Sequence, residues 1–121
     1  MSNDSNQSPI DGFYVAYFTG ATGSSFGMFV FRDGLVVGAD AGGGRYDGTY
    51  AVTAEGKQID AVIKFTLPVG NFSITGATAQ TEPISVEVPL KLPAEFNRMD
   101  VHRIETPIGP INAKFDKVRG L

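Results

Sequence analysis

Two glycine-rich segments have the composition closest to a phosphate- or cofactor-binding motif. TGATGSSFG (Thr19–Gly27) looks like the fingerprint of dinucleotide-binding proteins, whose glycines let a helix N-terminus approach a pyrophosphate. Here the third glycine, Gly27, comes one residue late, and the following FVFRDG has the pattern of a strand. The second segment, Gly42–Gly44, is not followed by a Lys-Ser/Thr pair. We therefore interpret residues 20–25 as a hairpin loop and the second segment as a β-bulge or barrel corner, and we predict no cofactor.

Residues suited to acid–base chemistry or metal binding are few and scattered. His102 is the one histidine and cysteine is absent, which excludes multi-histidine and Cys-type metal sites. No Ser-His-Asp spacing is visible, so we predict neither a catalytic residue nor a metal site. Asp40, Asp47 and Asp60 lie on neighbouring predicted strands, where solvated charges are the ordinary role. Glycoside hydrolysis needs two carboxylates at a fixed separation, which a sequence does not specify.

Asp40 has the most specific position of these acids, because it lies between an apolar strand and the glycine run. If its carboxylate is buried, it needs a hydrogen-bond donor. Arg45 is the nearest candidate in the sequence. A structural role with such a donor and simple exposure both remain open.

Length and charge limit the classes of protein that the chain can represent. The 121 residues, 42% of them hydrophobic, suffice for one domain with a real core. The net charge of −3 gives no electrostatic footprint for nucleic acid or an anionic membrane. We expect a mobile tail at residues 1–10, without the features of a signal peptide, and a single domain over 11–121. The lack of cysteine fits a cytoplasmic location.

Alternating apolar residues predict a chain made almost entirely of short strands. Asp33-Gly34 between two apolar runs predicts a hairpin with a type I′ turn. No window has a sustained 3.6-residue period, so we expect little helix beyond a single turn near residues 94–97. The sequence predicts an all-β fold, a small antiparallel up-and-down β-barrel of about eight strands. The predicted strands are Gly12–Thr19, Phe26–Arg32, Leu35 to Ala39 or Asp40, Arg45–Thr53, Gln58–Leu67, Ile84–Leu90, Met99–Glu105 and Ile111–Val118, with a further short strand at Phe72–Thr75.

The first two strands are apolar on both faces, so alternation leaves open which face lines the barrel. We assign one face, together with residues of later strands, to a cavity for an apolar small molecule or to a packed interior. These residues are Phe13, Tyr17, Met28, Val30, Asp40, Tyr50, Ile63 and Phe65. The opposite face then exposes more aromatic surface than a monomer usually leaves uncovered, which predicts a homodimer. Its interface would contain Tyr14, Phe18, Phe29 and Phe31, unless the C-terminal hairpin covers them.

The runs DGFYVAYF (Asp11–Phe18) and RDGLVVGADAGGGRYDGTY (Arg32–Tyr50) resemble the type III secretion negative-regulator family of the Grl repressor type. The resemblance implies a bacterial, calycin-like or lipocalin-like β-barrel that dimerises, has an apolar cavity and acts by binding protein without catalysis. The type member holds a transcriptional activator through an acidic Glu-Asp-Glu-Asp motif in the hairpin between strands four and five. The corresponding turn here, Ala54–Lys57, has one acidic residue, Glu55. The alternatives are a small-molecule-binding or catalytic barrel on a calycin-like scaffold and a purely structural dimer module.

Overall fold

The computed structural model describes residues 9–98 and 100–121, and its regular structure is almost entirely β. The predicted all-β fold with little helix is confirmed: the described residues contain one three-residue 3-10 turn, Ala54–Gly56. The predicted strand at Phe72–Thr75 is wrong, because this segment makes only a single bridge, between Phe72 and Thr78. The strands are β1 (Gly12–Gly20), β2 (Gly23–Arg32), β3 (Leu35–Asp40), β4 (Arg45–Thr53), β5 (Gln58–Leu67), β6 (Ile84–Pro93), β7 (His102–Ile104) and β8 (Ile111–Gly120).

The strands form one antiparallel sheet that curls into a nearly closed barrel. Their order is β6-β5-β4-β3-β2-β1-β8-β7, so β1 pairs with both β2 and β8, while β6 and β7 are the two edges. Strand β6 continues through Pro89 to Pro93, which pair with Val62 and Gln58 of β5. Proline has no N–H to donate, so both prolines occupy positions whose backbone faces the free edge. The edge thereby loses donors that another strand would need.

The hairpin between β2 and β3 has the predicted two-residue turn. Arg32 pairs with Leu35, and Asp33 and Gly34 have φ values of 52° and 81°. Two positive φ values are what a type I′ turn requires. A hydrogen bond from β4 stabilises the turn: Tyr50 N–H donates to the Gly34 carbonyl at 2.8 Å.

The first described residues pack against the barrel. Of the predicted tail, residues 1–8 lie outside the described part of the chain, and Ile10 is buried in the core. Its carbonyl accepts a 2.6 Å hydrogen bond from the Tyr14 hydroxyl. Near it, Lys117 Nζ donates to the Pro9 carbonyl at 2.8 Å, and Leu121 N–H donates to the Asp11 carbonyl at 3.4 Å. The first and last described segments therefore meet at one end of the barrel, here called the closed end.

The assignment of the two apolar faces is wrong for β1 and β2. The face assigned to the interface lies inside: Tyr14 is 1% exposed, and Phe18, Phe29 and Phe31 are also buried. The face assigned to the cavity lies outside, where Tyr17 is 52% exposed. Met28, Phe13 and Val30 share that outer face. The C-terminal strand does not cover the outer face either, because β8 pairs edge to edge with β1 in the same sheet.

Glycines in the interior explain why this face of β1 and β2 is the inner one. Gly38 stands between Phe29 and Tyr46 in the β2-β3-β4 register. A Cβ at Gly38 would overlap the Phe29 ring, so the ring occupies the space that a side chain would take. Aromatic rings of the inner face thus fill the barrel over small residues of the neighbouring strand.

Phe96 plugs the closed end of the barrel. Its side chain is fully buried, with ring centroids 5.2 Å from Tyr14, 5.4 Å from Phe31 and 5.1 Å from Phe115. The segment that carries it is anchored at both sides: Ala94 N–H donates to the Lys57 carbonyl, and the His102 ring Nε2 lies 2.9 Å from the Phe96 carbonyl. The part of the chain that the structure describes contains no helix long and apolar enough to cross a membrane.

Candidate functional site

A cavity of about 110 Å³ lies inside the barrel, above the aromatic plug. Its walls come from the inward positions of all eight strands, and its upper rim comes from the β5–β6 loop and the loop between β7 and β8. The lining is overwhelmingly apolar. Its large apolar members are Phe18, Phe29, Phe31, Val36, Tyr46, Ile59, Ile63, Phe65, Leu67, Phe72, Ile74, Val86, Val88, Leu90, Leu92, Ile104, Ile108, Ile111 and Phe115.

The hydroxyl groups of the rim form hydrogen bonds with other groups of the rim. Thr75 Oγ1 donates to Ser73 Oγ at 3.0 Å, and Thr106 Oγ1 donates to the Gly109 carbonyl at 2.6 Å. No lysine, arginine or histidine lines the cavity among the described residues, and Asp40 is the one charged residue that does. The cavity lining therefore has almost no polar atoms that are free to bond with a ligand.

Ser25 is the exception to this pattern. It lies on the inner face of β2, opposite Phe18 of β1. Its Oγ is buried and has no hydrogen-bond partner among the described residues. Buried polar atoms are normally paired, because leaving one unpaired costs about 1–3 kcal/mol. Ser25 is thus a lining residue of an apolar cavity whose hydroxyl has no protein partner as donor or acceptor.

Asp40 ends β3 and organises the glycine turn beside the cavity. Its Oδ1 accepts N–H bonds from Gly42 and Gly44, each at 2.9 Å, and its Oδ2 accepts the Tyr46 hydroxyl at 2.6 Å. The structural role that the sequence left open is therefore the correct one. The predicted donor is wrong: Arg45 points to solvent, because it precedes the inward-facing Tyr46 on a strand whose side chains alternate.

The environment of Tyr46 stabilises its neutral form. Its ring packs against Phe18, Phe29 and Phe65, with centroid distances of 6.3, 4.9 and 5.0 Å. Burial raises the pKa of Tyr46 far above its ordinary value, and the negative charge and hydrogen bond of Asp40 raise it further. Tyr46 therefore stays protonated and acts as the hydrogen-bond donor of the pair, and the three donors leave Asp40 little capacity for a further partner.

The β5–β6 loop, residues 68–83, covers part of the open end. It is tied to the β1–β2 turn, where Thr22 donates from both its backbone N–H and its Oγ1 to the Ile74 carbonyl, at 2.8 and 2.9 Å. A Cβ at Gly20 would meet the Ile74 backbone, so the glycine permits this close approach. Phe72 at the rim is 70% exposed. The TGATGSS segment is thus a hairpin whose turn holds a covering loop.

A second buried carboxylate lies at the closed end, away from the cavity. Asp11 is 6% exposed, and its Oδ1 accepts the Tyr50 hydroxyl at 2.8 Å and the Asp33 N–H at 3.3 Å. Burial raises the pKa of Tyr14 nearby to about 12, with a smaller contribution from the charge of Asp11. These contacts fasten the start of β1 to the β2–β3 turn. Within the described ranges, no three His, Cys, Asp or Glu side chains are grouped so as to hold a metal ion.

The predicted cavity residues are divided between three places. Asp40, Ile63 and Phe65 line the cavity, whereas Tyr50 is buried at the closed end with Asp11. The four predicted members on β1 and β2 lie on the outer face. Of the predicted interface residues, Phe18, Phe29 and Phe31 line the cavity, and Tyr14 lies below it against Phe96.

Sequence reasoning missed Ser25 because it placed residues 20–25 in a loop. In the structure β2 begins at Gly23, so Ser25 is a strand residue with the same inward parity as Phe29 and Phe31. Because strand side chains alternate, counting back in steps of two from these rings places Ser25 on the inner face.

No protein-family model matches this chain, and no curated protein sequence matches it.

Proposed function

We propose that this protein is a non-enzymatic binding protein that holds an apolar molecule inside its barrel. The observation that carries the proposal is the cavity of about 110 Å³ with a nearly continuous apolar lining. An apolar cavity of comparable size, about 150 Å³, is known to take up benzene. Small-molecule sites generally combine such a lining with a few placed polar groups, as Ser25 is here.

Non-enzymatic action is supported by how the candidate acid–base groups are used. Asp40 is occupied by two backbone donors and Tyr46, and Asp11 fastens the closed end. His102 contacts a backbone carbonyl of the segment that carries the plug. Each of these groups has a structural partner that accounts for its position.

Titration with toluene tests this function. We expect saturable changes in the ¹H–¹⁵N NMR signals of cavity-lining residues, with a dissociation constant in the millimolar range or below. Ala61→Leu adds an isopropyl group to a buried lining position and should abolish these changes. Ala51→Leu makes the same change at an exposed position of the neighbouring strand and is the matched control. Toluene binding that is absent, or that survives in Ala61→Leu, would refute the proposal.

We infer a second function, self-association, from the outer face of β1 and β2. Tyr17 and Phe26 face each other across these strands and are each 52% exposed, with Met28 beside them. Leu35 and Val37 of β3 extend the exposed apolar surface. These five half-exposed apolar side chains form one contiguous patch, and contiguous exposed apolar patches mark interaction sites. A second copy presents the same surface and covers it by two-fold pairing.

Sedimentation equilibrium tests the homodimer. Phe26→Glu combined with Met28→Glu should give a monomer, because both side chains lie on the proposed interface. Val62→Glu alters an exposed apolar residue on β5, outside that surface, and should leave the dimer intact. If wild-type protein is a monomer at high micromolar concentration, self-association is wrong. The protein that covers this face would then be a different one.

The regulatory role implied by the family resemblance stays a proposal, as does the cytoplasmic location. The Ala54–Lys57 turn, where the type member carries its acidic motif, is exposed and available to a protein partner. Glu55 and Lys57 give it one charge of each sign, so a partner would not be attracted to it by net charge. Charge reversal of Glu55 should therefore leave any regulatory partner bound, whereas loss of that binding would place the contact in this turn.

A further inference from the structure

We propose that the ligand of the barrel is electrically neutral and carries one hydrogen-bonding group, which pairs with Ser25. This inference rests on the proposed function and specifies the chemical class of the molecule bound. It follows from the few polar groups of the cavity and their partners.

An anionic ligand does not fit this lining. A carboxylate or sulfate moved out of water needs a cation or several donors, because burying an unpaired charge is very unfavourable. Among the described residues, the lining includes no lysine, arginine or histidine, and its one charged residue, Asp40, is itself negative. A fatty-acid head group would meet repulsion in the cavity rather than a partner.

A cationic ligand is also disfavoured, although Asp40 is an acid. Three donors already surround its carboxylate: Gly42 N–H, Gly44 N–H and the Tyr46 hydroxyl. These bonds hold the carboxylate in the β3–β4 turn. An ammonium group would compete with the Tyr46 hydroxyl, and it would lose its own hydration for a partner that is nearly saturated.

Ser25 Oγ is the group that remains for recognition. The atom is buried and has no partner among the described residues, and Ser25 is a lining residue of the cavity. The other hydroxyls of the lining differ, since Ser73, Thr75 and Thr106 bond within the rim. A ligand hydroxyl or carbonyl at Ser25 would satisfy this atom, and the remaining ligand surface would lie against apolar side chains.

Four compounds built on one ring separate these possibilities: toluene, benzyl alcohol, benzoate and benzylammonium. We expect benzyl alcohol to bind wild-type protein at least tenfold more tightly than benzoate or benzylammonium, measured from the NMR signals of lining residues. Ser25→Ala should weaken benzyl alcohol about fivefold, the effect of one net hydrogen bond, and should change toluene binding less than twofold. Ser24→Ala, an exposed position on the same strand, should change neither.

The outcomes distinguish this inference from the proposed function. If toluene does not bind, both fail. If toluene binds and benzoate or benzylammonium equals benzyl alcohol, the neutral ligand class is wrong and the apolar site stands. Equal weakening of benzyl alcohol and toluene by Ser25→Ala would mean that the substitution reshapes the cavity, which overturns the hydrogen bond. Since Ser25→Ala removes an unpaired buried hydroxyl, its melting temperature should equal or exceed that of wild type, so misfolding would also contradict the assignment.

Discussion

Replacing Tyr46 by phenylalanine tests the hydrogen bond that ties the cavity wall to the glycine turn. The substitution removes one hydroxyl and leaves the ring packed against Phe18, Phe29 and Phe65. Asp40 keeps its two backbone donors from the turn. The perturbation is therefore close to the loss of a single bond to a charged acceptor.

The geometry sets the expected size of the effect. The Tyr46 hydroxyl lies 2.6 Å from Asp40 Oδ2, within the range of charge-assisted O–H···O⁻ bonds. Such bonds contribute about 1.5–3 kcal/mol to stability. We expect Tyr46→Phe to lower the free energy of unfolding by about 2 kcal/mol, or the melting temperature by about 8 °C for a domain of this size.

A double-mutant cycle with Asp40→Ala isolates the bond. Urea unfolding followed by far-UV circular dichroism suits a β protein that has no tryptophan. In the Asp40→Ala background, Tyr46→Phe should cost little, because the hydroxyl has already lost its acceptor, which gives a coupling of about 2 kcal/mol. Tyr50→Phe is the matched control: it removes a hydroxyl bonded to Asp11 at the other end, and its effect should be the same in both backgrounds. If Tyr46→Phe is as destabilising without Asp40 as with it, the hydroxyl acts through something other than this bond.

Three further substitutions test the turn, the alkaline limit and the plug. Gly34→Val should destabilise the protein by about 2 kcal/mol in urea unfolding, because a β-branched residue tolerates the φ of 81° poorly, and an unchanged midpoint would contradict the type I′ turn. Tyr14→Phe should cost about 1 kcal/mol at pH 7 through the lost bond to the Ile10 carbonyl. Because the folded-state pKa of Tyr14 is raised from 10.0 to about 12, wild type keeps this group's contribution below pH 10 and loses it as pH rises toward 12. The stability difference between wild type and Tyr14→Phe should therefore shrink over that interval, and a constant difference would refute the pKa assignment. Phe96→Ala should cost about 3–5 kcal/mol, since it opens a fully buried site, and a loss below 1 kcal/mol would show that the plug does not close the barrel.

The sequence carried enough information for the strands and their order along the chain. Asp33-Gly34 specifies its turn by the φ values that it permits, and the bounds of β4 and β5 agree with prediction residue for residue. On β5, where Asp60 and Lys64 alternate with apolar residues, the predicted inward positions of Ile63 and Phe65 are correct. In such a strand one face is clearly more apolar than the other, so that face is the one buried in the core.

The inner face of β1 and β2 was not predictable in the same way. Both faces of these strands are apolar, so the hydrophobic effect does not distinguish them locally. A residue on another strand favours one of them: Gly38 leaves room for the inward ring of Phe29. That pairing depends on the β2–β3 register, which the sequence alone does not show. Without it, the predicted cavity residues on β1 and β2 were assigned to the wrong face. The partner of Asp40 was missed for a related reason, because Tyr46 follows the nearer Arg45 by one residue and alternation points the two in opposite directions.

The meeting of the first and last strands has a consequence for how this barrel folds. Six of the seven strand pairings join neighbours in the sequence, whereas the β1–β8 pairing closes the whole chain, as in the contact between Pro9 and Lys117, 108 residues apart. Closing so long a loop carries an entropic cost before any contact rewards it, so we expect the local hairpins to form first and the β1–β8 seam last. A circular permutant that joins Leu121 to Ile10 through a short linker and begins at Asp100, between the edge strands β6 and β7, would make every strand pairing local. It should refold faster than the natural chain order while keeping the same cavity.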